Sequence, residues 1–232
     1  MATTSQYQCK TQDGGESTIG FKPSTPLSSK GSSDRIVLGL GRIVPRWDVL
    51  MEPNRKLQYF AAAGEWNQLE LGLVIAPTDD RDSANFYLRY MINPPEEPTV
   101  LAKAFFPNQV GQDVIVYSCA FEPDNRSTMK VVFLHELGHV LGLRHEFAIE
   151  LEGQGAVRFM GKDENSVMSY IPFPTKLQNT DKEGVKAFYK LDNGYHIDPE
   201  RDQPVTDFWP QLRATVRRRG RQSATVQTQG TE

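Results

Sequence analysis

The stretch FLHELGHVLGLRHE, Phe133 to Glu146, holds three of the chain's four histidines. His135 and His139 stand four apart, and residues at that spacing share a helix face with Cβ atoms about 5–6 Å apart. Two imidazoles can therefore converge on one ion. A catalytic zinc site takes three protein ligands and leaves one position open. Gly142 supplies the route for the third: a glycine just past a helix end accepts positive φ without Cβ strain, so the chain can reverse and carry His145 back to the same ion. Glu136 is displaced about 100° around the helix from His135, beside the ion rather than on it, which is the position of a general base acting on water. The extended pattern H-E-x-x-H-x-x-G-x-x-H thus predicts one catalytic ion held by His135, His139 and His145. An all-imidazole set with an open position makes zinc the first choice, while spacing alone leaves other divalent transition metals open. His196, alone in a late segment, is expected on the surface.

These residues need a scaffold. STMKVVFLHELGHVLGL predicts a helix with Ser127 as N-cap and one buried face of Val131, Val132, Leu134, Leu137, Val140 and Leu141, stopped at Gly142. Ahead of it, RIVLGL reads as a strand. Pro53 opens a helix through EPNRKLQYFAAAGEWNQL, with Leu57, Phe60, Ala61 and Gly64 at helical spacing. LELGLVIA, ANFYLRYMI, TVLAKAFF and DVIVYSCAF are further strand candidates. After a loop between Glu150 and Ser166, DKEGVKAFYKL forms a last amphipathic helix that Asn193-Gly194 ends. Residues 1–34, rich in Ser, Thr, Gly and Gln, read as a flexible leader. Residues 35–198 read as the catalytic domain, and 199–232 as a tail.

Composition narrows the classes. With 38% hydrophobic and 24% charged residues the chain resembles an ordinary globular protein, and no run approaches the ~18 apolar residues of a membrane helix. A net charge of −3 without a basic face argues against nucleic acid; the cluster RATVRRRGR lies in the tail and is expected to be solvated. Two cysteines, Cys9 and Cys119, permit at most one bridge. The N-terminus lacks a secretory signal pattern, which leaves a mature secreted form and a cytoplasmic protein both open.

The extended motif resembles that of the metzincin metallopeptidases. SVMSY, with Met168 twenty-three residues after His145, resembles their Met-turn and implies that Met168 underlies the three histidines. Tyr170 takes the place of the tyrosine that contacts the metal or the reacting carbonyl in astacins and serralysins, and Glu146 directly after the third histidine is similar to theirs. TVLAKAFFP resembles the matrixin edge strand against which an extended substrate lies, which implies substrate pairing by the backbone of Val100, Leu101, Ala102, Lys103 and Ala104. Matrixins carry the histidines of a structural zinc where Lys103 and Ile115 stand, so no second zinc is expected. The astacin cysteines are missing, and the region around Cys9 does not match the matrixin propeptide motif. The resemblance spans roughly residues 45 to 192 and mixes subfamilies. It implies an α+β fold: a twisted, mostly parallel sheet with an antiparallel edge strand, an active-site helix and a C-terminal helix.

The activity so implied is zinc-dependent endopeptidase cleavage of a protein or peptide, by a monomer. Zinc activates water and polarises the scissile carbonyl, Glu136 moves the proton to the leaving amine, and Tyr170 donates to the oxyanion. IPFPTKL forms the S1′ wall. Two alternatives stay open: a metal-binding interaction module that cleaves nothing, which has no need of Glu136, and a zinc hydrolase of another amide.

Overall fold

The structure, a computed structural model of the chain, describes residues 21–23, 38–43, 53–77, 84–109, 111–151, 156–169, 175–198 and 204–208. Pro53 opens helix α1 (Pro53–Asn67) as expected, since proline at the first helical position gives up only an N–H that has no helical partner. The buried face is not the expected one. Tyr59, Ala62, Ala63 and Trp66 are buried, whereas Ala61 is exposed and Phe60 and Gly64 are half-buried; the side chain of Leu57 lies outside the described residues. Turning the helix this way buries two large aromatic rings, which outweighs an alanine and a glycine.

Strand β2 (Leu38–Ile43) pairs in parallel with β3 (Leu73–Pro77). Strands β4 (Leu88–Met91), β5 (Ala102–Lys103) and β6 (Val114–Tyr117) form a sheet in the order β4-β6-β5. β4 runs parallel to β6, and β5 lies antiparallel at the edge. The parallel pairings and the antiparallel edge strand are those of the expected α+β fold, and among the described residues no pairing joins the β2-β3 pair to the β4-β6-β5 sheet. Side-chain amides finish the strand ends. Asn67 pairs with both backbone groups of Ile75 at 2.9 Å, as a neighbouring strand would. Asn93 donates to Glu97 O and Val100 O and accepts from Ser118 Oγ and Cys119 N, which ties β4 to the segments around β5 and β6.

Helix α2 (Met129–Val140) carries the histidine motif. Its N-cap is Thr128, not Ser127, and neither residue caps it with a side chain. The 3-10 turn Pro123–Asn125 leads directly into the helix, Thr128 is itself helical, and its hydroxyl donates to Asn125 O at 2.9 Å. The helix is also buried on every side except at Lys130, which pairs with Glu65 of α1. A single buried face was expected; the helix instead runs through the centre of the core. Helix α1 packs along it, with Tyr59 edge-on to Phe133 at 5.1 Å and Trp66 Nε1–H donating to Leu134 O at 3.0 Å.

A short helix α3 (Ala148–Leu151) follows the motif, and α4 (Asn179–Phe188) closes the described core. A capping box of Gln178 and Asp181 starts α4. Strand β1 (Phe21–Pro23) pairs in parallel with β7 (Thr206–Phe208), and Val205 is fully buried. This pairing joins a short stretch of residues 1–34 to one of residues 199–232. No described helix is long and apolar enough to cross a membrane.

Candidate metal centre

Helix geometry places His135 and His139 one turn apart on α2, both buried. The helix then ends in a Schellman motif: Leu143 N–H donates to Gly138 O and Gly142 N–H to His139 O, each at 2.9 Å. Gly142 takes φ 94°, the left-handed conformation its type predicts. The reversal returns His145, 5% exposed, to the other two histidines.

Each helix histidine is oriented by its second ring nitrogen. His135 Nδ1 lies 2.8 Å from Val167 O, and His139 Nδ1 lies 2.8 Å from Leu143 O. A carbonyl only accepts, so both Nδ1 atoms carry hydrogen and both Nε2 atoms present lone pairs. His135 Nε2 is 3.1 Å from His139 Nε2 and 3.1 Å from His145 Nε2. Lone pairs at that distance repel unless a cation lies among them. Three nitrogens on a tetrahedral zinc at about 2.0–2.1 Å would be about 3.3 Å apart, so the donor set fits zinc. Burial first, then the neighbouring imidazoles, push His135 and His139 well below the ordinary value of 6.5. Both rings are therefore neutral and ready to ligate near pH 7.

Glu136 is fully buried beside the first ligand. Its charge reaches Tyr117, whose hydroxyl is pushed up by burial first and then by Glu97 and Glu136. Glu146 ties the third ligand to the Met-turn segment through its N–H, 3.2 Å from Met168 O. Its carboxyl is pushed up by burial, against the pull of Arg158 at 3.7 Å.

Met168 is buried, and its sulfur lies so close to α2 that a Cβ added at Gly138 would overlap it. The turn that carries Met168 is held from α4. Asp181 accepts from Ser166 Oγ at 2.6 Å, Val167 N at 3.1 Å and Gln178 N at 2.7 Å. Val167 thus hands its carbonyl to His135 and its N–H to Asp181. Tyr189, just past α4, donates to Leu141 O at 3.1 Å, at the end of α2. Sequence reasoning missed Gly138, Asp181 and Tyr189; the pattern Gln178-x-x-Asp181 before a helix was a legible capping signal.

Of the other expected residues, Val100, Leu101, Ala102 and Ala104 are buried and Lys103 is half-buried. Lys103 and Ile115 are cross-strand partners. Tyr117 N–H donates to Leu101 O at 2.9 Å, so the peptide groups of Leu101 face β6 and those of Ala102 point to the opposite edge. His196 is exposed. Cys119 is a free buried thiol donating to Val100 O at 3.0 Å. Tyr170, Cys9, residues 171–174 of the expected S1′ wall and the basic cluster of the tail lie outside the described residues. A cavity of about 260 Å³ lies behind the third ligand, walled by Leu143, His145, Phe159, Met168 and Phe188. Glu136 does not line it, so it is not assigned as the substrate cleft.

Two structures of myroilysin are similar to the chain at 13% identity. One match covers 61% of this chain and 89% of that one with a TM-score of 0.44; the other covers 76% and 94% with a TM-score of 0.47. No curated protein matches the chain in sequence. The family described as Met-zincin matches residues 125–194, which hold α2, the three histidines, Met168 and α4. That match falls on the residues that carry the chemistry: over this stretch the chain is similar to the Met-zincin family, and its three buried histidines could hold one metal ion.

Proposed function

We propose that the chain is a zinc endopeptidase in which Glu136 is the general base. The observation that carries this reading is a fully buried glutamate next in sequence to His135, the first of three buried histidines whose ring nitrogens converge. A site that only binds metal has no use for a desolvated glutamate there, because burying an ionised carboxylate is costly. The chemistry a zinc ion supplies when held by the three histidines is Lewis acidity toward water and a carbonyl oxygen. Glu136 accepts a proton from the attacking water and delivers it to the leaving amine nitrogen. Tyr170 donates a hydrogen bond to the oxyanion.

The substrate is an extended peptide laid along the open edge of β5, adding a strand to the sheet. Ala102 N–H and C=O, directed away from β6, are the groups that pair with it. Such pairing is blind to side chains, so selectivity falls to the S1′ pocket after Met168. The catalytic unit is residues 35–198.

The test is digestion of a mixed peptide library read by mass spectrometry, with and without a chelator. Glu136→Gln is expected to keep zinc and lose about 10²–10⁴-fold in turnover. A variant that retains both zinc and turnover assigns the base elsewhere. Proline at Ala102 is expected to raise KM, while proline at Leu101 costs stability by removing a donor on the β6 side. Unchanged KM in a folded Ala102→Pro protein removes the edge-strand assignment.

A further inference from the structure

Strand β5 carries one charged side chain, that of Lys103. It stands at the end of a row across the sheet: Arg89 of β4 lies in register with Ile115 of β6, and Ile115 with Lys103. Side chains alternate between the two faces of a strand. Ala102 and Val116, the neighbouring pair, are fully buried on the core face, so Lys103 and Ile115, both half-buried, project from the other. At the far end of the row Arg89 is already paired, its Nε 2.7 Å from Asp113 Oδ2. Lys130, Arg158 and Lys162 also reach carboxylates. Lys103 meets no acidic side chain among the described residues. A half-buried lysine rests its methylene stem on the protein and keeps its ammonium in water.

The ladder fixes what lies opposite this charge. Tyr117 N–H donates to Leu101 O, which makes Leu101 and Tyr117 a hydrogen-bonded pair. Such pairs alternate along an antiparallel ladder, so Lys103 and Ile115 are the next one and the peptide groups of Lys103 are engaged with β6. An antiparallel substrate strand on the open edge therefore exchanges hydrogen bonds with Ala102 and forms its non-hydrogen-bonded pair with Lys103. Pairs of that kind hold opposed residues closer, with Cα atoms about 4.5 Å apart and both side chains on one face.

We infer that Lys103 is a specificity-determining residue, which favours Asp or Glu at the one substrate position opposite it in the added strand. That residue immediately precedes the one bound to Ala102. Opposite charges directly across a ladder attract and like charges repel, and no carboxylate of the protein has to leave Lys103 first. Backbone pairing at Ala102 accepts any side chain, while Lys103 adds a charge filter at a single position.

The inference rests on the edge-strand mode of substrate binding proposed above. A parent chain that cleaves no peptide, or an unchanged KM in folded Ala102→Pro, removes that mode and the role of Lys103 with it. Cleavage that responds to Ala102→Pro yet shows no charge preference removes only the role of Lys103.

The experiment digests a mixed peptide library with the zinc-loaded full chain and with its Lys103→Glu and Lys103→Met variants. Products are read by mass spectrometry as the ratio of kcat/KM for peptides with Glu, Gln or Lys at each position. The parent is expected to favour Glu over Gln about 2–5-fold at one position. That preference should fade between about 0.01 M and about 1 M salt, as the screening length shrinks from about 30 Å to about 3 Å. Lys103→Glu is expected to favour Lys at the same position, and Lys103→Met to show no charge preference there. A merely structural role for Lys103 does not invert a preference at one position and leave the rest. No acidic preference in the parent, or one that survives both substitutions, would overturn the inference. Should Lys103→Glu not fold, Lys103→Met decides by loss of the preference at that position with selectivity elsewhere retained.

Discussion

A glycine within a helix costs about 1 kcal/mol relative to alanine, yet Gly138 sits inside α2, between two metal ligands. Contact decides in its favour, since a methyl group there would overlap the Met168 sulfur. Gly138→Ala is therefore predicted to gain helix propensity and still lose about 1–3 kcal/mol through overpacking, together with zinc affinity; urea unfolding and chelator competition check the two effects. Stability equal to or above the parent's would mean that the methionine yields freely. Tyr59 poses the opposite case. Its hydroxyl is buried in the core with no partner among the described residues, and burial holds its pKa well above 10.0. In the unfolded chain the same hydroxyl ionises near 10.0, so the contribution is intact below that pH and is lost as pH rises from 10.0 toward the folded value. Tyr59→Phe removes a desolvated donor, and the expected result is a gain of about 1 kcal/mol at pH 7 with a shallower loss above pH 10. A loss of stability at pH 7 would reveal a water partner for that hydroxyl. The histidine spacing was legible because helix period alone fixes it. Gly138 was not, because its requirement comes from a residue thirty positions away.

Among the elements, α4 serves the site without contributing a ligand. Asp181 on its first turn accepts three hydrogen bonds, two of them from Ser166 and Val167, and Tyr189 reaches the end of α2. An asparagine at 181 would put an amide NH₂ against one of those donors. Asp181→Asn is predicted to cost about 1–3 kcal/mol and to weaken zinc binding through Val167 and His135, measured by urea unfolding and zinc competition. Loss of stability alone would confine Asp181 to capping α4. At this scale the sequence was readable for what each element is and less so for how it faces. Pro53 and Gly142 marked the limits of α1 and α2 by local backbone rules. The inner face of α1 depends instead on which rings fit against Phe133 and Leu134, a matter of tertiary packing. TVLAKAFF yields only the two-residue β5, since pairing length is set by the partner strand as much as by its own pattern.

For the whole molecule, the histidines join parts that are held in different ways. His135 and His139 belong to a helix buried against α1. His145, the turn of Met168 and the start of α4 form a second group, connected to the first through Val167 O, Leu143 O and packing at Gly138. Zinc binds across this junction, so it stabilises the native state by mass action: about 2.7 kcal/mol when free zinc is 100 times its Kd. Chelation should remove that amount and lower the melting temperature accordingly. The loss should also be local. Without the ion, two Nε2 lone pairs face each other at 3.1 Å, and the easiest relief is movement of the loop side, because α2 is fixed by its core contacts. Hydrogen exchange of the chelated protein is therefore expected to speed up at Glu146, whose N–H bonds Met168 O, and at Ser169, whose N–H bonds Ser166 O. Amides in the middle of α2 should keep their protection. Equal acceleration in α2 and the loop would mean that the metal supports the fold as a single unit, and that the helix does not hold its two histidines in place before zinc arrives.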